Sequence, residues 1–99
     1  MLFLVISTPR ADSPSSVRDR QKAYWVWLNK LIADGTVKHV WTKTGRGAVT
    51  VVDVPSHESL HNFVNQWSEL VPATFEVTPL VPKEHQERIA MAGTNPMSV

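Results

Sequence analysis

The sequence predicts a single α+β domain, and three observations on its 99 residues support this prediction. Short runs rich in β-branched residues alternate with two stretches in which apolar residues recur every three or four positions. A glycine-containing turn joins the two middle runs. The resulting order is strand, helix, strand, strand, helix, strand. These elements fold most simply as a split βαβ, ferredoxin-like sheet with both helices on one face.

The first predicted strand and helix occupy the N-terminal third. The strand covers Leu2 to Ser7, a short apolar run that ends at a Thr-Pro pair. The helix begins after a cap at Ser15 or Ser16 and runs to about Asp34. Gly35 ends it, because glycine readily adopts the left-handed conformation there. The apolar stripe of this helix consists of Val17, Tyr24, Leu28 and Leu31, with Ile32 beside it.

The next two predicted strands form a hairpin. The second strand covers Val37 to Lys43, and the third covers Ala48 to Val54. The turn between them is Thr44-Gly45-Arg46-Gly47. Because side chains alternate along a strand, one face of the second strand should carry Val37, His39 and Trp41. The near-continuous valines of the third strand predict burial on both of its faces.

A second predicted helix and a fourth strand complete the domain. Ser56 caps the helix, which runs to about Glu69 before Pro72 breaks the chain. Its apolar stripe is Leu60, Phe63, Val64 and Trp67. The fourth strand covers Thr74 to Leu80. The domain therefore spans residues 1–82, and residues 83–99 are expected to form a polar C-terminal tail.

The predicted sheet has helices on one face only. Its strands carry apolar side chains on both faces, and a large exposed apolar patch is a liability in a monomer. Pairing of two copies through their sheets would cover the second face. The sequence therefore predicts a homodimer or a larger homo-oligomer.

The composition excludes several classes of function. Ten basic and nine acidic residues are interspersed, without the clustered basic face that nucleic-acid binding requires. The absence of cysteine excludes disulfides, thiolate nucleophiles and cysteine-ligated metals. The apolar N-terminus is far shorter than the roughly 20 residues of a membrane helix, and it lacks the features of a signal peptide. We expect a cytoplasmic protein with no nucleic-acid or membrane partner.

His39 is the first candidate for chemistry, since the ordinary pKa of histidine suits proton transfer near neutral pH. Its alternative role is structural, as a histidine that hydrogen-bonds a neighbour on the sheet. Arg46 stands between two glycines at the turn, where its guanidinium could hold a substrate carboxylate or simply be solvated.

Aromatic side chains form the second group of candidates. Trp25 and Trp27 point roughly 160° apart on the first helix, so they cannot both enter one core. At least one of them should flank a cleft or an interface. Core and interface packing is the alternative to a flat aromatic wall against a planar ligand. The candidate substrate-binding residues are Tyr24, Trp25, Trp27, Trp41 and Arg46.

Two further patterns are interpreted as structural. His57-Glu58-Ser59-Leu60-His61 matches the H-E-x-x-H zinc pattern, but it lies at the start of a short helix and no third ligand is evident. Asp53 could be a buried carboxylate base, but its place just before Pro55-Ser56 favours a structural role as a turn or cap residue. We expect no metal site. Phosphate-loop and serine-hydrolase patterns are absent from the sequence.

Several segments, in matching order over about residues 1–82, resemble muconolactone isomerase. They are Met1-Leu2-Phe3-x-Val5, Gly35-Thr36-x-x-His39-x-Trp41 with Gly45, Asp53-Val54-Pro55-Ser56-x-Glu58-x-Leu60-His61, and Glu76-Val77 with Leu80. The resemblance implies a ferredoxin-like subunit that forms a dimeric α/β barrel. It also implies a cofactor-free proton shift in a small unsaturated lactone acid from aromatic catabolism. His39 falls on a family position and would be the base or a hydrogen-bond donor, whereas Arg46 is a candidate cation by position only.

The chain also departs from that family. Its first helix has Ala23-Tyr24-Trp25-Val26 where the isomerase carries acidic residues, and its turn and third strand lack the isomerase's tyrosine and asparagine. Three functions therefore stay open. The first is a cofactor-free isomerase acting on a small unsaturated lactone or aromatic-derived acid. The second is a cofactor-independent oxygenase or cyclase, and the third is a non-catalytic ligand-binding or assembly module.

Overall fold

The structure, a computed structural model, describes residues 1–10 and 18–93, which form four strands and three helices. In chain order these are β1 (Leu2–Pro9), α1 (Arg18–Ala33), β2 (Val37–Thr42), β3 (Ala48–Asp53), α2 (His57–Leu70), β4 (Ala73–Leu80) and α3 (Lys83–Met91). The strands form one antiparallel sheet in the order β2-β3-β1-β4. The chain therefore has the ferredoxin-like βαββαβ fold, and the predicted fold class is confirmed.

The core lies between one face of the sheet and helices α1 and α2. The sheet contributes Phe3, Val5, Val37, Ala48 and Val52, and the helices contribute Tyr24, Leu28, Leu60, Phe63 and Trp67. Trp67 is surrounded by the rings of Tyr24, Phe63 and Phe75, whose centroids lie 5.2–5.7 Å from its own. The predicted stripes supply these helical residues. Ile32, which the sequence placed beside the stripe, is exposed instead.

The helix ends depend on local hydrogen bonds. Ser56 is the N-cap of α2, and its Oγ accepts a hydrogen bond from Ser59 N at 3.1 Å, as the sequence predicts. Gly35 follows α1 with φ of 86°, the left-handed conformation expected of it. The predicted cap of α1 at Ser15 or Ser16 lies outside the described residues, as does Val17.

Strand β2 contains a bulge that changes which side chains share a face. Val37 pairs with Val52, whereas His39 pairs with the preceding residue of β3, Val51. One residue of β2, Lys38, is therefore left without a partner, and the alternation of side chains is reversed beyond it. The prediction that Val37 shares a face with His39 and Trp41 is wrong. Val37 is buried under the helices, and the other two lie on the opposite face.

The face of the sheet opposite α1 and α2, here called the open face, carries apolar side chains at its centre. Leu4, Ile6, Val49 and Val51 are paired across β1 and β3, and each is only partly buried. The expected burial of β3 on both faces is thus not reached within one chain. His39 and Trp41 extend this surface onto β2.

Two elements differ from the sequence-based expectation. Strand β1 continues through the Thr-Pro pair to Pro9, which is paired with Ala73 of β4. Helix α3 follows Pro82 within the segment expected to be a polar tail, and none of its residues is buried.

None of the helices formed by the described residues has both the length and the apolar character needed to cross a membrane.

Candidate functional site

A cavity of about 200 Å³ lies between the first half of α1 and the turn that joins β2 to β3. We call it the turn cavity. The strand ends and the turn line one side of it, and α1, α2 and the chain after α2 line the other. Its lining residues are Ser7, Pro9, Gln21, Tyr24, Trp25, Thr42, Gly45, Arg46, Gly47, Ala48, Trp67 and Val71.

The turn is held close to β1 by glycine. Gly47 has φ of 111°, and a Cβ added there would lie 2.5 Å from the carbonyl oxygen of Ser7. No other residue type fits this approach without a shift of the backbone. Lys43 N donates a hydrogen bond to Gly47 O at 2.9 Å, which closes the turn, and Lys43 Nζ donates to Thr8 Oγ1 at 3.0 Å.

Arg46 brings a positive charge to the turn cavity. Its side chain is partly buried, and its Nη1 donates a hydrogen bond to Arg10 O at 2.9 Å. This bond orients the guanidinium between the turn and the end of β1. A guanidinium carries five N–H donors in a planar array that matches a carboxylate. The chemistry of this side of the cavity therefore suits an anionic group.

Two aromatic side chains of α1 line the opposite side. The rings of Tyr24 and Trp25 are in an edge-to-face arrangement with centroids 5.2 Å apart. Tyr24 is only 6% exposed and packs on Trp67 at 5.6 Å, whereas Trp25 is open to solvent. Flat apolar rings beside a guanidinium form a surface suited to a planar, negatively charged ligand.

The hydroxyl group of Tyr24 is buried without a hydrogen-bond partner among the described residues. Burial raises the pKa of Tyr24 from 10.0 to about 12, because the charged phenolate loses its hydration there. The phenol is therefore neutral at physiological pH. Ser7, another lining residue, also carries a hydroxyl group, and its Oγ accepts a hydrogen bond from Ala48 N at 3.0 Å.

The structure separates the predicted site residues into groups. Tyr24, Trp25 and Arg46 all line the turn cavity. His39 and Trp41 lie on the open face, where their rings stack with centroids 5.4 Å apart and planes 14° apart. They therefore lie on the far side of the sheet from the cavity.

Trp27 lies neither in the turn cavity nor on the open face. Its ring stacks on Phe63 at 5.3 Å, and its Nε1 donates a hydrogen bond to Gln66 Oε1 at 2.9 Å. Trp27 thus joins α1 to α2. Trp25 and Trp27 do point to different surroundings, as their helical spacing predicts.

Sequence reasoning missed Ser7, Gln21 and Gly47 as lining residues of the cavity. The sequence did contain an indication that Ser7 points inward. This residue continues the inward-facing series of Phe3 and Val5 in β1, so a polar residue there should face the core. Such an inward serine needs a buried partner.

The metal-like pattern in α2 does not form a site in the described part of the chain. The ring of His57 packs edge-on against Phe3 at 5.8 Å. Within residues 1–10 and 18–93, no group of three His, Cys, Asp or Glu side chains is arranged to hold a metal ion. Asp53 accepts a hydrogen bond from the amino group of Met1 at 3.0 Å, which is a structural contact.

A second cavity, of about 260 Å³, lies between the end of β3 and the first half of α2. The polar residues that line it include Thr36, Asp53, Ser59 and Asn62. Gln66 also lines it, and its side-chain oxygen already accepts the hydrogen bond from Trp27. Neither an arginine nor a lysine is among its lining residues in the described part of the chain. The two cavities are thus chemically different, and the turn cavity is the one that suits an anion.

Comparison with known proteins supports the fold. No curated protein matches the sequence of this chain. Among solved structures, one match is 5-chloro-2-hydroxyhydroquinone dehydrochlorinase (TftG) from Burkholderia phenoliruptrix AC1100, in complex with 2,5-dihydroxybenzoquinone. The identity is 22%, the TM-score is 0.63, and the match covers 86% of this chain and 98% of that one. Residues 1–93 match the family model DUF3303, a domain of unknown function. The chain therefore belongs to the DUF3303 family.

Proposed function

We propose that the turn cavity binds a small, planar, anionic ring compound and that the protein is a cofactor-free isomerase, which would shift a proton in this compound with a base from outside the described lining of the cavity. The observation that carries this proposal is the position of Arg46 in the same cavity as the rings of Tyr24 and Trp25. The two rings come from α1 and the guanidinium from the turn between β2 and β3, and together they supply an aromatic surface and a cation.

The size of the cavity limits the ligand. Sites for drug-sized molecules have volumes of roughly 300–1,000 Å³, and this cavity has about 200 Å³. It suits one ring with a small substituent. A carboxylate or an acidic ring oxygen would pair with Arg46, and the ring would lie against Trp25.

Two comparisons support the choice of ligand class. The sequence resembles muconolactone isomerase, whose substrate is a small unsaturated lactone acid. The structurally similar dehydrochlorinase acts on 5-chloro-2-hydroxyhydroquinone and was solved with 2,5-dihydroxybenzoquinone. Both ligands are small ring compounds with acidic or carbonyl oxygens. At 22% identity, the similar structure supports the fold of this chain. Its bound ligand only suggests which class of compound to test.

A second candidate function is ligand binding without chemistry, and one observation favours it. The described lining of the turn cavity contains no histidine, aspartate or glutamate. A proton shift needs a base within reach of the ligand. His39, the candidate base from the sequence, is on the opposite face of the sheet from this cavity.

We also propose that a second copy of the chain covers the open face, as a homodimer. The apolar side chains of Leu4, Ile6, Val49 and Val51 support this arrangement, since they are only partly buried in one chain. His39 and Trp41 would then lie between the two sheets. A cytoplasmic location, expected from the sequence, is part of the same proposal.

A proton-exchange experiment tests the function. The protein is incubated in D₂O with muconolactone and related butenolides, and deuterium incorporation and double-bond migration are followed by NMR. Arg46→Gln and His39→Ala are compared with the wild-type protein. We expect exchange that is lost in Arg46→Gln, because the anion loses its partner.

The other outcomes separate the alternatives. Exchange that requires His39 but not Arg46 would assign the chemistry to the open face and contradict the turn cavity as the reaction site. Binding without exchange, weakened by Arg46→Gln, would support the non-catalytic function. Absence of both binding and exchange would overturn the proposal.

A further inference from the structure

We propose that the second cavity binds a small neutral compound with several hydroxyl groups, of the size of one sugar ring, and that Trp27 positions the side chain of Gln66 for this ligand. The cavity has a volume of about 260 Å³ and lies between the end of β3 and the first half of α2. Among the described residues, none lines both this cavity and the turn cavity. The site therefore does not depend on the proposed function.

Helix α2 contributes three polar side chains to the second cavity. Ser59, Asn62 and Gln66 follow each other at spacings of three and four, so they share one side of the helix. The Asn62 side chain is exposed, and its amide makes no hydrogen bond with another described residue. Ser59 Oγ accepts a hydrogen bond from Ser56 Oγ at 3.1 Å, which leaves the Ser59 hydroxyl proton to donate. This side of the cavity thus offers donors to a ligand.

Thr36 and Asp53 line the cavity from the sheet side. Asp53 N donates a hydrogen bond to Thr36 O at 2.7 Å, which holds the chain after α1 against the end of β3. The Asp53 carboxylate accepts a hydrogen bond from the Met1 amino group through Oδ1 at 3.0 Å. Its other oxygen makes no further hydrogen bond within the described part of the chain and can accept one from a ligand.

The charges of the second cavity favour a neutral ligand. Asp53 is the one charged residue in the described lining, and the Met1 amino group already pairs with it. An anion would find no cation there, and a cation would compete with Met1 for the same carboxylate. A hydroxyl group both donates and accepts hydrogen bonds. Several hydroxyl groups on one ligand therefore match a lining that combines amides, hydroxyls and one carboxylate.

The remaining lining residues and the volume limit the ligand to one ring. The apolar part of the lining consists of Leu31, Val54, Pro55 and Phe63. These side chains give the ring carbons of a ligand an apolar surface, while its hydroxyl groups meet the polar side chains. Sites for drug-sized molecules have volumes of roughly 300–1,000 Å³, and this cavity is smaller.

Trp27 sets the direction of the Gln66 amide. The ring of Trp27 stacks on Phe63 with centroids 5.3 Å apart, and its Nε1 donates a hydrogen bond to Gln66 Oε1 at 2.9 Å. Because its oxygen is occupied, the amide has its Nε2 hydrogens left to donate. A side chain that is already oriented loses less conformational freedom when a ligand binds. Trp27 is thus a positioning residue that acts through Gln66.

The test uses two neutral polyols and two charged rings. myo-Inositol and D-glucose are titrated into the isotope-labelled wild-type protein, and NMR follows the side-chain amide signals of Asn62 and Gln66. Cyclohexanecarboxylate and cyclohexylamine are the controls. We expect saturable shifts with at least one polyol and none with the charged rings. Absence of saturable shifts with both polyols, or equal affinity for a charged ring, would overturn the proposal.

Two asparagines of α2 provide a matched pair of variants. Asn62→Ala should raise the dissociation constant of the polyol by about 2- to 12-fold, the range for one net hydrogen bond. Asn65 is exposed and is not a lining residue, so Asn65→Ala should change the constant by less than about twofold. Equal effects of the two variants would show that the polyol binds outside this cavity and would overturn the site.

A double-mutant cycle tests the positioning role. Trp27→Phe retains an aromatic ring against Phe63 but removes the donor to Gln66, so it should raise the dissociation constant of the polyol. In the Gln66→Ala background the same change should have no further effect, because Trp27 acts only through Gln66. An equal effect in both backgrounds would mean that Trp27 supports the packing of α1 and α2 alone, and would overturn its positioning role.

Discussion

Val37 and His39 lie two positions apart in β2, yet their side chains are on opposite faces of the sheet. The cause is the bulge between them, which pairs Val37 with Val52 and His39 with Val51. In a regular strand the two would share a face. The bulge lets Val37 enter the core and directs His39 and Trp41 to the open face, away from the turn cavity.

The position of Trp41 predicts that it acts in association rather than in the core of one chain. Trp41 is 59% exposed, so Trp41→Ala should change the unfolding free energy of the subunit by less than about 1 kcal/mol. If a second copy covers the open face, the same change should raise the dissociation constant of the dimer. Sedimentation equilibrium measures this dissociation constant. Val26→Ala, at a residue on α1 with 58% exposure, is the control and should leave the dimer intact. A wild-type protein that is monomeric at all concentrations would contradict the dimer.

Two residues of α1, one turn apart, test the assignment of the core. Leu28 is fully buried and Ile32 is 43% exposed. Leu28→Ala should lower the unfolding free energy by about 2–5 kcal/mol, because it leaves a cavity beside the sheet. Ile32→Ala should cost clearly less. Urea denaturation measures both variants, and equal losses would mean that α1 is rotated from the orientation described.

Tyr24 predicts a specific loss of stability at high pH. Its folded pKa of about 12 lies above the ordinary value of 10.0, so the folded state binds the proton more tightly than the unfolded state. This contribution to stability is fully present below pH 10 and is lost as the pH rises from 10 towards 12. Urea denaturation across this range should show a steeper decline for the wild-type protein than for Tyr24→Phe.

The chain contains one tyrosine, so the titration can be observed directly. Phenolate absorbance reports on Tyr24 alone. The midpoint should lie near pH 12 in the folded protein and near pH 10 in denaturant. A folded midpoint near 10 would show that the hydroxyl is hydrated, which would contradict its burial.

The two glycines beside Arg46 form a matched pair. Both have positive φ, 96° for Gly45 and 111° for Gly47. Gly45→Ala should cost about 1–2 kcal/mol from backbone strain, since there is open space around its Cβ position. Gly47→Ala should cost about 1–3 kcal/mol more, because its Cβ would clash with the Ser7 carbonyl.

Binding provides the second measurement on this pair. If the approach of Gly47 to β1 positions Arg46, Gly47→Ala should weaken the binding of benzoate more than Gly45→Ala does. Equal effects of the two variants on both stability and binding would mean that the turn is not packed against Ser7.

The sequence by itself determined the order of the strands and helices, and with it the fold. The stripes that bury Leu28, Phe63 and Trp67 repeat at helical spacing, and the ends of α1 and α2 are marked by Gly35 and Ser56. Such features depend on residues within one or two turns of each other, so a single sequence contains them. The sequence pattern did not predict helix α3. None of its residues is buried, so it lacks the apolar stripe that marks a packed helix.

Only the tertiary structure decided the site. Arg46 is about 20 residues after Tyr24 and Trp25 in the chain, and it meets them because α1 packs against the sheet beside the hairpin turn. The bulge at Lys38, which moved His39 away from them, depends on how β2 pairs with β3. Contacts of this kind depend on the register and packing of separate elements, and no local pattern in the sequence determines them.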